Sequence, residues 1–171
     1  MRYSRFINQI IKPKKIKNSV LLLGDYDVDE TNKMLDELLP FLSSVNFTIG
    51  FKPHPAKEIK NESLYNFNIT TETNQISNLI QKYQFFIVSN KSGSSLDLYY
   101  LNEKPIIYLA KNQLNNSPLS EVNNILQTSS KDEILDFFKK PVSNTENQKD
   151  QIFYIDKSFK RWNNFMSSIS N

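Results

Sequence analysis

Short apolar runs that alternate with helix-period segments decide what this chain can fold into. "SVLLLG" (19–24), "FTIGFK" (47–52), "FFIVS" (85–89) and "KPIIYLA" (104–110) read as strands. Runs this short and this apolar belong in a sheet buried on both faces. "FNIT" (67–70) and "ILQTS" (125–129) are weaker strands. Between them lie helical patterns. Asp29 can cap a helix carrying Met34, Leu35, Leu38, Leu39 and Leu42. Residues 57–64 suggest a short helix, and Thr73 or Asn74 can cap another with Ile76, Leu79, Ile80 and Tyr83. "SSLDLYYLN" (94–102) is a fourth, and Ser117-Pro118 opens a short one. Ser130 and Glu133 form a capping box before Ile134 to Lys140, and residues 154–169 close the chain as an amphipathic helix.

Strand–helix alternation repeated about six times predicts a three-layer α/β fold. The expectation is a doubly wound, mostly parallel, Rossmann-like sheet of about six strands with right-handed crossovers. In the order 3-2-1-4-5-6 the strand order reverses between strands one and four, and ligands bind beyond the carboxyl ends there. Gly24 and Asp25 follow strand one, and "SNKSGSS" (89–95) follows strand four. The loop after strand two, with Lys52 and His54, lies next to strand one.

His54 is the single histidine, held in "FKPHP" between two prolines. A residue before proline is driven to extended geometry, so Lys52 and His54 leave the strand on a stiff backbone. Imidazole suits a phosphate oxygen either as neutral donor or as cation. A purely structural histidine is the other reading of this residue. In "NKSGSSLDL" Gly93 permits backbone conformations other residues avoid, and Ser92, Ser94 and Ser95 surround a helix start. Unpaired amides and the helix dipole at such a start suit an anion. Ser94 and Asp97 also fit a capping box that needs no ligand, and Asp97 is assigned to capping. Neither a G-x-G-x-x-G pattern nor a P-loop is present.

Charge narrows the partners. The net charge is +3, yet six of the 21 basic residues fall in positions 1–17, which hold no acid. The remainder has 15 basic against 18 acidic residues, or −3. A basic face for nucleic acid is therefore not expected. The leader (1–18) spaces Phe6, Ile7, Ile10 and Ile11 helically before its lysines. It fits a solvated linker, a docked helix, or a peripheral contact with an anionic membrane. No cysteine is present, and no run is long enough to cross a bilayer. A cytoplasmic location, at most beside the inner face of a membrane, is the expectation. Matches to Asn-x-Ser/Thr at Asn46, Asn61, Asn68 and Asn90 read as chance in an Asn-rich chain.

"FKPHPAKE" and "FFIVSNKSGSSLDLYYLNEKPIIYLA", with His54 and Ser92 38 positions apart, resemble the carboxy-terminal half of GT-B glycosyltransferases. The likeness is nearest to bacterial polyglycerol-phosphate polymerases, capsular Kdo transferases and polysialyltransferases, and covers roughly residues 19–118. It implies a donor-binding domain over 19–140, a polar linker over 141–153, and a terminal helix (154–171) packing back on the domain. It implies that Lys52, His54, Ser92, Gly93, Ser94, Ser95, Gly24 and Asp25 hold the phosphates of a CMP-, CDP- or UDP-activated sugar or polyol. His54 would stabilise the leaving phosphate, with no metal and no further cofactor. The acceptor, a surface or capsular glycan, would sit on an amino-terminal domain outside this chain, so that this part alone transfers nothing. Lys91-Ser92-Gly93 departs from the acidic residue that commonly precedes the serines, which leaves the donor's identity open. Two other readings are a sugar-nucleotide 2-epimerase-like domain, which needs an acid beside the Ser-Gly turn, and a non-catalytic scaffold of the same fold.

Overall fold

Alternate residues of a strand face opposite sides of a sheet, so apolar residues at every position need cover on both. Strand β1 (Ser19–Leu23) is buried throughout. Its Val20 and Leu22 enter one apolar layer, and Leu21 and Leu23 the other. The computed structural model describes residues 15–140 and 160–169, and the leader up to residue 14, the expected linker and the expected helix residues 154–159 lie outside them. The other strands are β2 (Thr48–Lys52), β3 (Ile69–Thr71), β4 (Phe85–Ser89), β5 (Ile106–Tyr108) and β6 (Gln127–Thr128). All pairs are parallel, in the order β3-β2-β1-β4-β5-β6. The fold is the three-layer, Rossmann-like α/β arrangement expected, and the strand order reverses between β1 and β4.

Helices α1 (Val28–Ser44) and α5 (Lys131–Lys139) cover one face through Met34, Leu35, Leu38, Leu39, Leu42 and Ile134. Helices α3 (Ile76–Leu79) and α4 (Ser94–Tyr100) cover the other through Leu79, Leu98 and Tyr99, with Tyr83 and Leu119. Each large apolar side chain fully buried in these layers contributes about 1.5–3 kcal/mol relative to exposure.

Local chemistry moves several boundaries. The cap of α1 is Asp27, not Asp29: its carboxylate accepts from the Asp29 and Glu30 amides. Asp29 and Glu30 then lie in the first turn, where the helix dipole favours acids. The helix expected over 57–64 contracts to one turn, α2 (Ser63–Asn66). Asn61 accounts for this, since its Nδ2 donates to Asn32 and Asp36 of α1 while its Oδ1 accepts from Ser63 N. Helix α3 ends before Tyr83. Ser117-Pro118 starts a turn rather than a helix, with Ser117 Oγ accepting from Leu119 N. Ser130 caps α5 as expected, accepting from Glu133 N at 3.3 Å.

The end of the leader belongs to the domain. Ile16 N–H donates to Lys82 O at 2.9 Å, and Lys15 Nζ lies 5.3 Å from the Phe86 ring centroid. Helix α6 (Lys160–Ile169) leaves Phe165, Met166 and Ile169 exposed. Among the described residues no helix is long and apolar enough to cross a membrane.

Candidate functional site

At the carboxyl ends of β1 and β2 the chain leaves a cleft of about 340 Å³. Gly24, Lys52, His54 and Ser94 line it together, although they come from three separate segments of the chain. Pro53 follows β2 directly, Pro55 lies in a turn closed by Lys57 N–H donating to His54 O, and Gly24 N–H extends the ladder to Lys52 O at 2.9 Å. A Cβ at Gly24 would lie 3.1 Å from Thr31 Cγ2, so the close turn suits glycine.

The crevice directly between β1 and β4 is stitched shut. Asp25 accepts from Asp27 N–H at 2.9 Å, and Ser89 Oγ donates to it at 3.4 Å. Ser92 Oγ donates to Gly24 O at 3.5 Å. Lys91 Nζ meets Glu30 at 3.1 Å and Asp27 at 3.5 Å. The open space therefore lies to the β2 side, under the β3–α3 turn. Thr73, Gln75 and Ser77 complete its wall. Sequence reasoning missed these three. Their signal was the polar run "TETNQIS", which follows the strand next to β2.

His54 is half-buried. The Ala56 amide donates to its Nδ1 at 3.2 Å, which leaves the neutral ring's proton on Nε2. That nitrogen is then a donor. The Tyr26 ring stands across from the imidazole, centroids 5.5 Å apart and nearly perpendicular. Lys52 is partly buried, and burial pushes its ammonium pKa down, with the negative charge of Glu72 opposing. A cation in that position gains from any anion placed beside it.

Glu72 was not singled out from the sequence. It is buried at the end of β3, accepting from Lys82 Nζ at 2.5 Å and Tyr83 Oη at 2.6 Å. Burial alone would push its carboxyl up. The hydrogen bonds from Lys82 and Tyr83 and the charges of Lys82 and Lys52 outweigh that and hold it below the usual carboxylate range.

The Ser-Gly turn differs from expectation in four ways. Gly93 has φ −62°, ordinary helical backbone, so its freedom is unused. The helix-start amides are occupied within the turn: Ser94 N–H donates to Ser92 Oγ, Ser95 N–H to Ser92 O and Leu96 N–H to Gly93 O. Ser92 and Ser95 are buried, and Ser95 Oγ donates to Ser92 O at 2.8 Å. Helix α4 has no side-chain bond at its cap, and Asp97, expected to cap it, lines the cleft at 4 % exposure. Donors toward a bound anion therefore come from the side chains of Lys52, His54 and Ser94. Asp97 adds an acceptor suited to hydroxyl groups.

A larger cavity, about 600 Å³, opens at the opposite edge, between the starts of β4 to β6 and α5. Lys15 Nζ holds both oxygens of the Glu103 carboxyl there, at 2.7 and 2.8 Å. Burial still pushes that carboxyl up, against the charge of Lys15. None of the expected site residues lines this cavity. Among the described residues, no group of three or more His, Cys, Asp or Glu is placed to hold a metal ion.

No protein-family model matches the chain, and searches of curated proteins and of solved structures find no match.

Proposed function

We propose that this chain is the donor-binding domain of a GT-B-type glycosyltransferase, or a related polyol-phosphate transferase, of surface or capsular polysaccharide synthesis. The observation that carries the reading is the meeting of Lys52, His54 and Ser94 in one cleft beside the reversal point of a doubly wound sheet. Lys52 supplies charge, His54 a directed Nε2–H and Ser94 a hydroxyl for the phosphates of a nucleotide-activated sugar. Asp97 and Gln75 offer partners to ligand hydroxyls on the same wall. In transfer, the three donors would stabilise negative charge as the phosphate leaves, and His54 is the residue best placed for that work. The acceptor and its domain lie outside this chain, and the setting is cytoplasmic, with the leader near the membrane face.

The epimerase-like reading gains one observation, since Asp97 faces the same cleft as His54. Calorimetric titration with CMP, CDP, UDP and GDP tests the proposal. Pyrimidine-selective binding supports a donor site of this class. Absence of binding to all four returns the chain to a scaffold of the same fold.

A further inference from the structure

Beside the cleft, on the far side of His54, a large ring is left in solvent. Tyr26 is 61 % exposed and follows β1 in the loop that leads to α1. An isolated exposed aromatic is ordinary. This one is built into place. His54 meets it nearly at right angles, at 5.5 Å between centroids. Lys57 Nζ stands 4.0 Å from its centroid, at cation–π distance. Both of those residues come from the loop after β2. That loop is fixed by Ala56 N–H donating to His54 Nδ1 and Lys57 N–H donating to His54 O, at 3.2 and 3.0 Å. One ring, the imidazole, thus touches the cleft on one side and the phenol on the other.

We infer that Tyr26 is a stacking platform for the planar ring of the ligand whose anionic group enters the cleft, and so a specificity residue for that ligand. The inference rests on the anion-binding reading of the cleft. Lys57 covers part of the ring and adds positive charge, and the exposed remainder is open to a planar partner. A nucleobase has such a face and is joined to phosphate by a sugar. A bare diphosphate or a polyol phosphate lacks it. Stacking of a base on an aromatic side chain is worth enough to change affinity by about tenfold or more. Tyr26 therefore separates nucleotides from simple phosphates, while Lys52 and His54 bind both.

The test is calorimetric titration of inorganic pyrophosphate and of CDP into the full chain and its Tyr26→Ala and Tyr26→Phe variants, with thermal melts confirming that each is folded. CDP is expected to bind the unaltered chain about tenfold more tightly than pyrophosphate does. Tyr26→Ala should remove that difference and leave pyrophosphate binding unchanged, and Tyr26→Phe should keep it. Equal affinities for the two ligands in the unaltered chain would overturn the inference while leaving the anion site standing. So would a Tyr26→Ala chain that keeps its preference for CDP, or one that loses affinity for both ligands alike, which makes Tyr26 only a brace for His54. If neither ligand binds the unaltered chain, the anion-binding reading itself is wrong, and the inference falls with it.

Discussion

His54 and Lys52 play different physical parts, and substitution separates them. The imidazole is half-buried, and its Nδ1 accepts from a loop amide. His54→Ala should therefore cost little stability, about 1 kcal/mol or less, while nucleotide binding measured by calorimetry is abolished. A loss of several kcal/mol with binding retained would make His54 structural. Lys52 carries a partly buried charge whose pKa burial depresses. Lys52→Met should weaken nucleotide binding about tenfold or more, yet leave the unfolding midpoint unchanged or raised, because an unfavourable buried charge has gone. A lowered midpoint would show the ammonium to be a structural ion-pair partner instead.

Glu72 ties the end of β3 to the segment after α3, through Lys82 and Tyr83. Its carboxyl titrates below the ordinary range in the folded chain. The stability this supplies is complete above the unfolded value of about 4.3 and is lost as pH falls through the lower folded value. Chemical denaturation across acid pH should show that slope in the unaltered chain and a shallower one in Glu72→Gln. Equal slopes would mean that the contacts do not perturb Glu72. Gly50 makes the same link possible from β2, since a methyl there would fall on the Tyr83 ring and hydroxyl. Gly50→Ala should cost about 1–3 kcal/mol by overpacking, read from urea unfolding. An unchanged urea midpoint would show that Tyr83 has room to move.

Some of this was legible in the residues and some was not. The strands were, because four buried apolar positions in a row at 20–23 and at 85–88 fit little else. The short helices were not. Tertiary hydrogen bonds from Asn61 to α1 override the local pattern over 57–64, and no sequence period reports them. Gly24, Lys52, His54 and Ser94 were found by reasoning from the reversal point outward. Thr73, Gln75 and Ser77 were missed because the crevice between β1 and β4 is closed, which displaces the open space toward β3. The Ser94–Asp97 spacing fits a capping box, but Ser92 Oγ takes the Ser94 amide, and Asp97 lines the cleft.

Taken as a molecule, the chain builds a six-stranded, doubly wound sheet and gathers its donors beside the point where the strand order reverses. The cavities of about 600 and 340 Å³ lie at opposite ends of the strands, and the smaller one brings Lys52, His54 and Ser94 together. Because His54 is the single histidine, its ring gives one assignable imidazole signal. The most direct test follows that signal by NMR while CDP is added. Binding in the cleft predicts a saturable shift of the His54 resonances, with the Nε2 side moving most and with the same dissociation constant as calorimetry. Saturable CDP binding by calorimetry with the His54 resonances unmoved would place the ligand elsewhere and contradict the account.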